Sequence, residues 1–132
     1  MGRFDFTETG INGLFVVKPK VYADKRGHFM ETYNYKDFKA AGLDMVFIQE
    51  NQSRSQRGVL RGLHFQKFYP QGKLVRVIKG EVFDVAVDLR RGSPNYKQWF
   101  GIFLSEENKL QLYIPEGFAH GFLVISNEGA FI

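Results

Sequence analysis

The sequence predicts an all-β protein, an antiparallel sandwich or barrel of the jelly-roll kind with one short helix. Three observations predict this fold. Short apolar or alternating segments follow one another between turns rich in Gly, Pro, Asn and Asp. Aromatic residues make up 16% of the chain, with 14 Phe, 6 Tyr and one Trp, which suits rings packed between sheets. The helical stretches that a doubly wound α/β fold needs between its strands are missing.

Each element has a local reason. Leu14 to Lys18 is apolar and β-branched and stops at Pro19. Asp24-Lys25-Arg26-Gly27 is a turn, followed by a strand from Phe29 to Tyr33. Tyr35 to Ala41 forms the short helix, capped by Gly42. Val46 to Ser53 and Val59 to Gln66 read as strands on either side of a polar Arg-Ser-Gln-Arg-Gly loop. Lys73 to Ile78 and Val82 to Leu89 read as the arms of a hairpin around Lys79-Gly80-Glu81. In the second arm Phe83, Val85, Val87 and Leu89 share one face, and Asp84, Ala86, Asp88 and Arg90 the other. A turn at Arg91 to Asn95 leads to strands Gln98 to Leu104, Leu110 to Ile114 and Ala119 to Ile125, with Pro115-Glu116-Gly117 before the last. The final apolar run, Gly129 to Ile132, reads as a strand cut short, so the domain is expected to continue beyond it.

Composition narrows the function. A chain of 132 residues, 44% hydrophobic and free of repeats and linkers, predicts one domain over residues 1–132. The net charge is +4, but the basic residues are scattered singly among Asp and Glu. This fits a mixed solvated surface with one small-anion site better than nucleic-acid binding. The absence of cysteine excludes disulfides, thiolate catalysis and thiolate metal sites. No apolar run is long enough to span a bilayer and no secretory leader is visible, so a cytoplasmic protein is expected, without a membrane partner.

The chemistry-bearing stretch is Gly58-Val59-Leu60-Arg61-Gly62-Leu63-His64-Phe65-Gln66, followed by Lys73. An imidazole able to work near neutral pH, a guanidinium and an ammonium suggest proton chemistry on an anionic substrate. Strict alternation puts Arg61 and His64 on opposite faces; a one-residue bulge at Gly62 would bring them together. His120, in Gly117-Phe118-Ala119-His120-Gly121-Phe122, suits a packed sandwich wall and reads equally as structural or functional. His28 adjoins a turn and is assigned no role. His64 and His120 lack the neighbouring ligands a metal needs, so no metal is expected. Nucleophile-elbow, Walker and dinucleotide glycine motifs are all missing. If a nucleotide binds, side chains must hold its phosphates, and Arg26 and Arg61 are the natural candidates.

The blocks Arg26-Gly27-His28-Phe29-Met30-Glu31, Gln49-Glu50-Asn51, Val59 to Gln66, Gly80 to Arg90 and Ile114 to Phe122 resemble the dTDP-4-dehydrorhamnose 3,5-epimerase family, in order and in spacing. The resemblance implies a cupin-type double-stranded β-helix, a homodimer, no cofactor or metal, and a dTDP-linked 4-keto-6-deoxy-sugar as substrate in dTDP-L-rhamnose biosynthesis. It implies that His64 is the catalytic base, that Lys73 lies beside the keto oxygen and that Arg61 binds the diphosphate. Arg26 and Glu31 would contact the nucleotide from the neighbouring subunit, with Phe29 packing on thymine. Gln49, Glu50, Asn51 and His120 would contact substrate, and Asp84 would help to orient His64.

The chemistry is coherent. A C4 ketone acidifies the C3 and C5 hydrogens; neutral His64 removes one, and Lys73 stabilises the enolate. Inversion needs a second proton donor on the opposite face. The family's donor tyrosine would fall immediately after Ile132, and an aspartate that partners the catalytic histidine further on. Tyr69 and Tyr113 do not match the donor position. The chain as it stands is therefore expected to bind dTDP weakly and to turn over poorly. Two other functions fit the same residues: a non-catalytic sugar-nucleotide-binding jelly roll, and a single-centre epimerase or ketoisomerase of another deoxysugar pathway.

Overall fold

The structure, a computed structural model, describes residues 3–43, 47, 50–65 and 72–132. Its strands in chain order are β1 (Phe4–Glu8), β2 (Phe15–Pro19), β3 (Val21–Asp24), β4 (Gly27–Met30), β5 (Ser53–Gln56), β6 (Leu60–His64), β7 (Lys73–Lys79), β8 (Glu81–Asp88), β9 (Trp99–Ser105), β10 (Gln111–Ile114), β11 (Phe118–Val124) and β12 (Glu128–Phe131). A single described helix, α1 (Tyr35–Ala40), follows β4. Every described pairing is antiparallel. A six-stranded sheet, β1-β2-β10-β7-β12-β5, faces a four-stranded sheet, β6-β11-β8-β9, and β3-β4 pair with each other. This is the jelly roll the sequence predicts.

Val75, Val77, Leu112 and Ile114 of the larger sheet meet Val82, Ala86, Leu104, Phe118, Phe122 and Val124 of the smaller one, forming the inter-sheet core. The outer face of the larger sheet carries a second cluster. There Phe38 of α1 lies edge-on to Phe4 and Phe6, at 5.1 and 5.0 Å between ring centres, beside Val17 and Tyr113. The helix starts where the Asn34 side chain accepts the Asp37 N–H at 3.2 Å, and it ends at Gly42, whose φ is +91°. No helix among the described residues is long and apolar enough to cross a membrane.

The structure corrects several sequence expectations. β7 and β8 are not a hairpin; they belong to different sheets. Gly80 between them is a corner with φ +79°, packed so tightly on the Glu128 carbonyl and the Ser126 hydroxyl that a Cβ would collide with both. The polar loop expected after Ser53 is largely β5, an edge strand paired with β12 and pinned by the Arg54–Glu128 ion pair. Of the strand expected over Val46 to Ser53, residues 46, 48 and 49 lie outside the described residues, and 50–52 are not in a strand. β4 ends at Met30 rather than Tyr33, and β1 and β3 were not anticipated.

The alternation of β8 is as expected, and its orientation is informative. Asp84, Ala86 and Asp88 are fully buried and point inward, while Phe83, Val85 and Val87 are half-buried on the outer face.

Candidate active site

The site is built on the bulge that the Arg61/His64 spacing requires. His120 of β11 pairs with His64 of β6, and Phe122 pairs with Arg61. Between these pairs β11 supplies Gly121 alone, whereas β6 supplies Gly62 and Leu63. The extra residue turns Arg61 and His64 to the same face, the one that carries His120 and Phe122. Glycine is needed here because φ at Gly62 is +114°, and a Cβ would stand 2.6 Å from Gly121 Cα and 2.7 Å from the His120 carbonyl oxygen.

His120 is buried, and its Nε2 donates to both Asp84 oxygens, at 2.9 and 2.8 Å. Asp84 is therefore held by His120, and no described hydrogen bond joins it to His64; the expectation that it orients His64 directly is corrected to this arrangement. His64 itself is exposed on the edge strand β6. The other face of His120 is closed by Phe131, stacked at 5.8 Å, and Phe131 in turn stacks on Phe122 at 4.4 Å.

Asp84 and Asp88 face inward from one strand, yet their acidities move in opposite directions. Burial pushes the Asp84 carboxyl above the ordinary range, opposed by the His120 hydrogen bond and by the charges of His120 and Lys73. Burial acts on Asp88 too, but the Arg90 guanidinium, the Ser93 hydroxyl and the Arg90 backbone N–H together hold it below that range. Asp88 is a structural anchor. Asp84 is a carboxyl whose main described partner is one imidazole.

Lys73 begins β7 and pairs with Ile114, so it faces the inter-sheet space. It lines a cavity of about 630 Å³ together with Glu50, Asn51, His120, Phe122 and Phe131. Arg61 Nε donates to Ser55 Oγ at 2.9 Å, spanning from the edge of the smaller sheet to the edge of the larger one. The structure thus gathers Glu50, Asn51, Lys73 and His120 around one cavity, with Asp84 behind His120 and with His64 and Arg61 on the same sheet face. Gln49 lies outside the described residues.

Arg26, Phe29 and Glu31 are elsewhere. They sit on or just beyond the β3–β4 hairpin, and none of them lines this cavity. Arg26 pairs with Asp24 at 2.8 Å, Glu31 with Arg3 at 3.0 Å, and Phe29 is 70% exposed. Sequence reasoning missed Ser55, Phe122 and Phe131 as site residues. Alternation along β11 would have put Phe122 beside His120; Ser55 and Phe131 come into play only through sheet pairing. Among the described residues no cluster of three His, Asp or Glu could hold a metal ion.

A family model, dTDP-4-dehydrorhamnose 3,5-epimerase, matches residues 8–132. The chain belongs to this family. It is 57% identical over 128 residues to the dTDP-4-dehydrorhamnose 3,5-epimerase of Methanothermobacter thermautotrophicus, covering 97% of this chain and 69% of that one. The fold superposes on a dTDP-6-deoxy-D-glucose-3,5-epimerase from Legionella pneumophila, solved in complex with dTDP-4-keto-L-rhamnose, with a TM-score of 0.93 and 52% identity over 97% of this chain and 69% of that one. It also superposes on the dTDP-4-dehydrorhamnose 3,5-epimerase of Bacillus anthracis, solved with TDP and PPi bound, with a TM-score of 0.93 and 41% identity over 97% and 74% of the two chains. Membership in the family fixes the cupin-type jelly roll and the isomerase class, and it accords with the motif blocks around Arg61, His64 and His120.

Proposed function

We propose that this chain is an epimerase of a dTDP-linked 4-keto-6-deoxy-sugar, working at C3 and C5 in cytoplasmic dTDP-L-rhamnose biosynthesis. The observation that carries the reading is the bulge at Gly62, which turns His64 and Arg61 to the face of His120 beside the Lys73 cavity. In this reading neutral His64 removes the C3 or C5 proton, and the Lys73 ammonium receives the negative charge that develops on the C4 oxygen. His120, fixed by Asp84, orients the sugar. Arg61 leaves Ser55 to grip the diphosphate, and Glu50 and Asn51 contact the substrate at the mouth, with Gln49 beside them in sequence.

The proton donor belongs opposite His64. Ile132 exchanges both backbone hydrogen bonds with Arg76, at 2.9 Å each. A residue joined to Ile132 in the same strand would stand opposite Val75 and face the cavity. We assign the family's donor tyrosine to that position.

The assembly in this reading is a homodimer of single-domain subunits. The outer face of the four-stranded sheet presents Leu60, Leu123, Phe103 and Trp99, all exposed, around the half-buried Phe83. The hairpin β3–β4 pairs with no other described strand and carries Arg26 and the exposed Phe29, as an arm reaching a partner's site would.

The test is solvent exchange of the C3 and C5 protons of the substrate in deuterated water, followed by NMR. The parent chain should exchange both, and His64→Gln should lose exchange while keeping dTDP affinity within a few-fold. Exchange at one centre alone would assign a single-centre epimerase. Undiminished exchange in His64→Gln would remove His64 from the mechanism.

A further inference from the structure

The cavity does not end at the inner face of the six-stranded sheet. The last described partner of β7 on the β12 side is Ile132, opposite Arg76. From Lys73 to Val75, β7 has β10 on one side and no described strand on the other. The cavity passes round this open edge. Lys73, Val75 and His120 line its inner limb; Thr32, Tyr33, Arg76 and Gln111 line its outer limb.

Arg76 and Gln111 are direct cross-strand partners, so their side chains are neighbours on the outer face. Gln111 is fully buried, and neither its amide nitrogen nor its carbonyl oxygen has a partner. Native proteins retain few such groups, because an unpaired buried amide costs stability without return. Arg76 is half-buried and, among the described residues, its guanidinium has no ion pair or hydrogen bond. By contrast Arg3, Arg26, Arg54 and Arg90 each hold a carboxylate.

We propose that Arg76 and Gln111 form an oxyanion subsite, separate from the proposed catalytic groups, that takes a carboxylate or phosphate group. One ligand of this kind satisfies every unpaired atom. The guanidinium fork grips two oxygens, and Gln111 Nε2 donates to one of them. Gln111 Oε1 accepts a remaining Arg76 N–H. The proposed epimerisation leaves this subsite unused, since Arg61 holds the diphosphate and Lys73 the keto oxygen. The oxyanion has two sources, a free phosphate-type anion or an aspartyl or glutamyl side chain of a polypeptide segment.

The full chain, in a buffer poor in anions, is titrated with inorganic phosphate and separately with N-acetyl-aspartyl amide. The Gln111 side-chain amide and Arg76 Nε–H signals are followed by NMR, and the melting temperature is recorded alongside. Either probe is expected to move both signals saturably and to raise the melting temperature. Arg76→Gln and Gln111→Leu should weaken the response by about tenfold or more, whereas Arg61→Gln should keep it. Gln111→Leu should also melt higher than the parent without anion, since it removes the unpaired amide. A stronger response to phosphate assigns a free anion, and a stronger response to the aspartyl probe a protein carboxylate. Silence of both signals with both probes would overturn the subsite. So would a response that Arg61→Gln abolishes and Arg76→Gln retains, which keeps this test apart from that of the His64 reading.

Discussion

His64 and His120 stand directly opposite each other on β6 and β11, one exposed and one buried against a carboxylate. Two imidazoles on one sheet face thus have different environments. The exposed ring is free to exchange protons with a substrate, and the buried one is fixed by Asp84.

That pairing depends on the bulge. Gly62→Ala adds a Cβ in the left-handed region of backbone space and within 2.7 Å of the His120 carbonyl oxygen. It should cost about 2–4 kcal/mol, measured by urea denaturation. It should also impair dTDP binding, because Arg61 and His64 lose their common face. A variant as stable as the parent would show that β6 can be re-registered freely.

Lys73 is assigned the enolate oxygen. Lys73→Met keeps the stem and removes the charge, and deuterium exchange at C3 and C5 should fall by about 10²- to 10³-fold. Affinity for dTDP alone should change little. A large loss of dTDP affinity with exchange preserved would move Lys73 to the nucleotide.

Asp84 makes a specific claim about pH. Its folded-state acidity is weakened by burial, so the folded protein binds this proton more tightly than the unfolded chain. The stability it contributes is present below the ordinary carboxylate range and falls as pH rises through the higher folded value. Asp88 and Glu128 act in the opposite sense: both are held low by cationic partners, and their contribution is lost as pH falls. Asp84→Asn should flatten the decline on the alkaline side of the carboxylate range and leave the acid limb in place. Thermal melts across pH 3 to 7, roughly the window spanned by ordinary and raised carboxyls, read both limbs.

The exposed outer sheet face predicts association. Trp99→Lys with Phe103→Lys should convert a dimer to a monomer in light scattering and leave the circular dichroism of the fold unchanged, since both side chains already face outward. A parent that is monomeric at high concentration would remove the homodimer from the proposal.

The sequence exposed the site more fully than the topology. Alternation along β8 placed Asp84 and Asp88 on one face, and Gly62 announced the bulge, because these are local constraints of pleat and backbone. Gly42 ended the helix for the same reason. The corner at Gly80 was misread as a hairpin because a turn signal says that the chain bends, and only the packing of Ser126 and Glu128 decides into which sheet. β5 was misread as a loop because Ser-Arg-Ser-Gln is polar; it is an edge whose strand character comes from β12. The partner of Asp84 was out of reach because both histidines lie on strands with the same alternation, and only the sheet order puts β11, not β6, beside β8.

Gly80 is the sole residue between β7, which carries Lys73, and β8, which carries Asp84. A one-residue insertion there that slipped β8 against its neighbours would turn Asp84 and Asp88 out toward water and drive Phe83 and Val85 into their places. The ammonium would keep its position while His120 lost its anchor. The length of that corner therefore sets the charge pattern of the interior, and insertions should be tolerated far better in the exposed turn at Arg91 and Gly92.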